Sequence, residues 1–372
     1  MSAIKIGGIS NDNDDYEEYN VSPNFEYEED IVDDAQINFA LIDSFEAFIS
    51  INDGKPYIIY QNKDNKILEV LKVLKNKYKQ VSAIQGHNAN ITCIKYFLNK
   101  SQNIEYLISC DYNGFIIITN ISQNFKMETS IKTKYKNGEI TSCLMIFEIY
   151  DKKFDIQNGL IFISNKNSIE NQITPTKEYI LLKNGALEFY KDFDDNSPNN
   201  TSYLLYWDQK KNKQNYVITI GIKKIYVKNI SSYELYAAFG NTFEIWSHCG
   251  YVFYDKDKEK ERDLLLVSTI QSLILLYDLN AKKFIKAIKT SGLNERLYSI
   301  LQWNSNYILA CNATGPDIKI IDTKEEKCVG NNYIGHEDDF RCMRKIKHPK
   351  FGFCIITGGD DYSIKLFKSK RL

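Results

Sequence analysis

Apolar and polar positions alternate along this chain in short runs, with Asn, Asp and Gly gathered at the breaks. A period of two predicts half-buried strands joined by tight turns. Ile37–Ile42 and Ala47–Ile51 read as strands, Asn52-Asp53-Gly54-Lys55 as a hairpin turn, and Tyr57–Tyr60 as the strand leaving it. Ile67–Leu74 fits a helical spacing as well, with a strand or insertion preferred. A clearer set follows in Ile91–Phe97, Tyr106–Cys110 and Phe115–Asn120. Ile140–Phe193 predicts a further sheet, with strands at Leu160–Ser164, Tyr179–Leu182 and Ala186–Tyr190, a turn at Asn184-Gly185, and a polar insertion from Asn165 to Thr176. Between Tyr203 and Trp246 both Lys224–Val227 and Thr242–Trp246 fit as third strands. Leu264–Asp278 gives the next sheet, and Leu297–Trp303, Tyr307–Cys311 and Asp317–Asp322 another.

The last forty residues carry the most specific pattern. Gly335-His336 is followed by an alternating strand through Ile346, then by Ile355–Gly359, a turn at Asp360-Asp361, and a strand ending at Phe367. This resembles one repeat of the WD-repeat β-propeller family, and Gly86-His87 opens a second such repeat. The resemblance covers residues 37–372 and implies an all-β fold, a single propeller of seven four-stranded blades at forty-odd residues each. Six or eight blades stay open for residues 140–250. In the second repeat Asn113 stands where the family has Asp, and Thr119-Asn120 where it has Trp-Asp. The chain ends soon after the third strand of the last blade, so the resemblance implies an N-terminal donor strand, expected between Tyr19 and Ala35.

Composition agrees with strands: 26 Tyr and 20 Phe stand against 6 Pro. Charge adds an asymmetry. Residues 1–36 hold one lysine and eleven acids, a net of −10, which leaves +9 on the rest of a chain whose net charge is −1. We read an acidic, largely disordered leader at 1–36, part of it completing the last blade, and a basic body at 37–372. The 8 cysteines form no C-x-x-C pair and fall mostly in apolar strand patterns, the usage of a reducing compartment. With no apolar leader, and with Leu264–Leu279 too short and polar to span a bilayer, a cytoplasmic protein is expected, with cytoskeletal or ciliary placement as a variant.

The histidines invite catalytic or metal chemistry. The resemblance instead implies buried structural networks, made of His87, Ser109 and Asn113 in the second blade and of His336, Thr357 and Asp361 in the last. Phe367 lacks the indole N–H that would extend the latter. His248-Cys249 and His348 with Cys342 and Cys354 lack the paired spacing of a zinc site. No nucleophile elbow, P-loop or dinucleotide fingerprint is present, so no enzyme and no cofactor are expected.

The resemblance implies a noncatalytic scaffold docking other proteins of a multiprotein complex on its loop face, with Asn88, Asn90, Tyr112, Glu337, Asp339 and Asp360 as the contact positions. Lys345, Lys347, Lys350, Lys365, Lys368, Lys370 and Arg371 add a basic footprint for an acidic protein or RNA surface. Phe340–Arg344 is similar to the Phe-Arg-Arg-Gly signature of phosphoinositide-binding propellers, without its middle Arg and its Gly. Alternatives are a ribonucleoprotein-associated propeller, a structural subunit of a cytoskeletal or ciliary assembly, and a substrate receptor of a cullin ubiquitin ligase, whose box Ile355–Gly359, Asp361, Ile364 and Leu366 match in part.

Overall fold

The computed structural model describes residues 23–32, 45–62, 66–100, 102–133, 140–146, 159–165, 177–181, 187–192, 201–209, 211–221, 224–240, 249–255, 262–269, 271–290, 297–304, 306–312, 317–333 and 335–369. Its strands assemble into seven antiparallel four-stranded sheets, the blades of a β-propeller. β1 (Phe25–Val32) comes first in the chain. The first blade is β2 (Phe45–Ile49), β3 (Pro56–Gln61), β4 (Leu68–Val73) and β5 (Tyr78–Ile84). The second is β6 (Ile91–Asn99), β7 (Ile104–Asp111), β8 (Phe115–Asn120) and β9 (Lys126–Lys132). The third is β10 (Ile140–Ile146), β11 (Gly159–Asn165), β12 (Lys177–Leu181) and β13 (Leu187–Asp192), and the fourth is β14 (Thr201–Gln209), β15 (Gln214–Gly221), β16 (Lys224–Asn229) and β17 (Leu235–Gly240). The fifth holds β18 (Gly250–Asp255), β19 (Arg262–Ser268), β20 (Leu273–Asp278) and β21 (Lys283–Lys289). The sixth holds β22 (Leu297–Gln302), β23 (Tyr307–Asn312), β24 (Asp317–Asp322) and β25 (Lys327–Tyr333). The seventh is β26 (Phe340–His348), β27 (Gly352–Gly359) and β28 (Ile364–Ser369), with β1 as its fourth strand.

Several expectations resolve against this architecture. Ile67–Leu74 contains strand β4 rather than a helix, because Leu68 and Val70 bury against the second blade while Leu71 and Val73 bury against the seventh. Lys224–Val227 lies in the third strand of the fourth blade. The expected strands Ile37–Ile42 and Thr242–Trp246, the turn Asn184-Gly185, His248, Lys370 and Arg371 lie outside the described residues.

The core sits between blades. A single sheet cannot bury both faces, so apolar side chains of adjacent blades must interlock. Phe97 and Ile118 of the second blade pack with Leu144 and Phe162 of the third and Leu204 of the fourth. Cys342 and Ile356 of the seventh pack with Phe45 and Ile58 of the first, which closes the circle. Every outer strand carries extra residues opposite the third strand: two on β1, Glu28 and Ile31, and one on each of the others, namely Val81, Glu128, Tyr190, Tyr236, Ile285 and Val329. Such bulges twist an exposed edge and make it a poorer template for foreign strands.

Candidate functional site

The loops entering each inner strand and the turns between second and third strands share one face of the ring. In the second blade that face is fixed by a buried trio. His87 Nδ1 lies 3.2 Å from Asp111 Oδ2, and its Nε2 lies 2.7 Å from Ser109 Oγ. Asp111 also accepts the backbone N–H groups of Asn113 at 3.0 Å and Phe115 at 2.9 Å. Burial raises the cost of its charge, yet the His87 contact and these backbone donors outweigh it and hold the carboxyl below its usual range. Asn113, expected in this network from its place in the turn, stands exposed and gives only its N–H to Asp111. The carboxylate arises two residues earlier and reaches the same imidazole.

The seventh blade builds the equivalent site from other positions. His336 Nδ1 meets Asp361 at 2.9 Å, and Nε2 meets Thr357 Oγ1 at 2.7 Å. A carboxylate only accepts, so Nδ1 carries the proton. Ser363, which the sequence did not point to, adds its hydroxyl to Asp361 at 2.7 Å and sits 3.2 Å from His336 Nδ1. Burial opposes ionisation of Asp361, but the bonds from His336, Ser363 and the Glu337 N–H keep the carboxyl well below the ordinary range. Gly86 and Gly335, the residues before each histidine, have φ of +122° and +58°, a region that favours glycine.

An aspartate, a histidine and a hydroxyl in a row are also the parts of a nucleophilic triad. Here Ser109 and Thr357 are both 0% exposed, so no substrate reaches either hydroxyl. The chemistry available to these groups is satisfaction of buried polar atoms and loop anchoring. Among the described residues no group of three or more His, Cys, Asp or Glu is placed to hold a metal.

Anchoring has a visible consequence at the surface. Tyr112 N–H donates to the Asn90 carbonyl at 2.9 Å, tying the turn to the entering loop, and the Tyr112 side chain stands 53% exposed. Asn88 and Asn90 are exposed beside it. In the seventh blade Asp360 N–H makes the same bond to the Asp339 carbonyl. Glu337 is exposed and Asp339 half-buried, but Asp360, expected as a contact, is buried. The bulged Arg341 sends its guanidinium onto Asp360, with Nε at 2.8 Å, bonds Asp339 at 3.0 Å, and stacks 4.4 Å over Tyr298. Asp360 is spent inside the blade.

Three lysines of the basic footprint are likewise engaged within the chain, while Lys347 and Lys350 are exposed. Lys368 pairs with Glu28 at 2.7 Å and Glu26 at 3.0 Å, both on β1. Lys365 lies 3.6 Å from Asp30 and bonds the Gly335 carbonyl, and Lys345 bonds the Trp303 carbonyl at 2.5 Å.

On the opposite face Glu105 bolts the first two blades together. Fully buried, it accepts from Ser50 Oγ at 2.7 Å, Ile51 N at 2.9 Å, Tyr96 Oη at 2.9 Å, and Asn52 Nδ2. Polar ties of this kind occur at every blade junction. They run through Lys95 and Ser142, Ser142 and Leu204 N, Trp207 and Asp263, Tyr251 and Gln302, Arg341 and Tyr298, and Arg344 and Glu46.

Comparison with known proteins adds to the fold. Two crystal structures of BBS1N in complex with ARL6DN, soaked with lead and with mercury, align with TM-scores of 0.62 and 0.63. They are 10% and 9% identical in sequence, covering 92% and 93% of this chain and 98% and 97% of theirs. The seven-bladed propeller is therefore a shared fold. Autophagy-related protein 11 of Vanderwaltozyma polyspora is 26% identical over 258 residues, or 64% of this chain, and the chain spans 19% of that protein. No family model matches. Among the described residues no helix is long and apolar enough to cross a membrane.

Proposed function

We propose that this chain is a noncatalytic, WD-repeat-like scaffold that docks partner proteins within a larger complex on the loop face carrying Tyr112. The observation that carries the reading is the presentation of Tyr112: an exposed aromatic on a turn immobilised by the His87, Ser109 and Asp111 trio. Exposed aromatics are enriched at interface hot spots, and a turn fixed before binding loses little conformational freedom when a partner arrives. Asn88, Asn90, Glu337 and Asp339 supply polar groups around the same face. The BBS1N fold neighbour is itself a protein-bound propeller, which supports docking as a use of this architecture. Cytoplasmic placement belongs to the proposal, in keeping with eight free thiols.

The test is recovery of partners from the native source by the tagged full chain, quantified by mass spectrometry. Tyr112→Ala should lower recovery about tenfold. Ile51→Ala, on the opposite face, should leave it unchanged. Equal recovery by both variants would overturn the reading.

A further inference from the structure

Six of the seven outer strands leave their third strand through a hairpin; β1 alone reaches its place from elsewhere in the chain, linked onward to β2 by residues 33–44. Its contacts differ in kind from those of a core strand. Of its eight residues only Phe25 and Val32, at the ends, are buried. Between them Glu26, Glu28 and Asp30 meet Lys368 and Lys365 of β28, and Glu29 accepts from Tyr78 Oη at 2.6 Å. The register breaks twice, between Tyr27 and Glu29 and between Asp30 and Val32, so the backbone ladder is interrupted. Partly exposed ion pairs hold a strand weakly and selectively, because they are screened by salt and read charge.

We infer that the outer edge of β28 is a docking site for an acidic, extended segment of a partner protein, with β1 as its built-in occupant. This surface is separate from the Tyr112 face. Backbone groups of β28 supply the ladder, Lys365 and Lys368 select acids at alternate positions, and the pocket that holds Phe25 edge-on to Trp303, at 4.9 Å, takes an aromatic residue at one end. A segment of that pattern exchanges with β1 without opening the ring's other junctions.

A fluorescent synthetic peptide of residues 23–34, titrated onto the full chain at low salt, tests the assignment. Saturable binding is expected to wild type and at least tenfold tighter binding to E26K/E28K/D30K, whose own strand is repelled. Binding to K365E/K368E should be at least tenfold weaker, and a peptide with lysine at the three acidic positions should regain it. No binding to E26K/E28K/D30K, or binding indifferent to Lys365 and Lys368, overturns the inference. So does transfer of labelled β1 strands between chains in concentration-dependent dimers, which would make the occupant a second copy. Hydrogen exchange on wild type gives an answer free of variants. Amides of β28 should exchange faster than those of β8 and slow when peptide is added; equal rates with no peptide effect overturn it.

Discussion

Asp111 of the second blade occupies the register position that Gly359 holds in the seventh, and only one of the two blades has room there for a side chain. Asp111 pairs across from Ile91 as Gly359 does from Phe340. A Cβ on Gly359 would lie 2.6 Å from His336 Nδ1 and 3.0 Å from Asp361 Oδ1. The imidazole accepts one carboxylate, delivered from the early position in one blade and from two residues later in the other. Gly359→Ala should therefore cost about 2 kcal/mol by overpacking. Asp111→Gly should cost about 3 kcal/mol by leaving His87 without its acceptor. Adding Asn113→Asp to Asp111→Gly should recover more than half of that loss, while Asn113→Asp alone should destabilise. Urea unfolding of the four chains measures the cycle.

Acid should reveal the same networks. Asp361 has a folded-state pKa held well below its unfolded value of 3.8. Its stabilisation is complete above about pH 4 and is lost as pH falls toward the depressed folded value. Asp361→Asn should thus be less stable than wild type at neutral pH, with the gap narrowing below about pH 4. Unfolding midpoints across an acid series check the sign.

Glu105 is a buried carboxylate satisfied by hydroxyl, amide and backbone donors. Glu105→Ala strands those donors from two blades and should cost about 3 kcal/mol, against about 1 kcal/mol for Tyr96→Phe, which removes a single bond. The larger variant should also speed hydrogen exchange in the turn at residues 50–55. Unchanged exchange there would show that the bolt does not hold the first blade to the second.

Ring closure has an apolar anchor beside its charges. Phe25 is buried edge-on to Trp303 of the sixth blade, so Phe25→Ala should cost about 3 kcal/mol. Raising salt should weaken the ion pairs to Lys365 and Lys368 but leave the Phe25 contribution intact. Unfolding of wild type and variant at two salt concentrations separates the two.

Architecture was legible where strands alternate cleanly and Gly-His or Gly-Asp turns punctuate them, as in the second and seventh blades. The middle was harder because no Gly-His dipeptide punctuates it and two segments, Lys224–Val227 and Thr242–Trp246, fit equally as a third strand. Site chemistry was less legible. The family resemblance put Asn113 in the network because alignment on the turn cannot show that a carboxylate two residues earlier turns inward to the same nitrogen. Asp360 read as a loop residue since nothing local signals that a bulge at Arg341 aims a guanidinium at it. The fate of Lys365 and Lys368 depended on β1, more than 330 residues away in the chain; the missing fourth strand of the last blade pointed to such a donor, and the opposed charges of leader and body were the trace of its ion pairs.

Hydrogen-exchange footprinting of the full chain with and without a purified partner tests the scaffold reading most directly. Protection should fall on residues 85–90, 111–114 and 335–339, and Tyr112→Ala should abolish it while shifting stability by less than about 0.5 kcal/mol. Protection confined to the opposite face, at residues 50–55 and 121–125, would contradict the account.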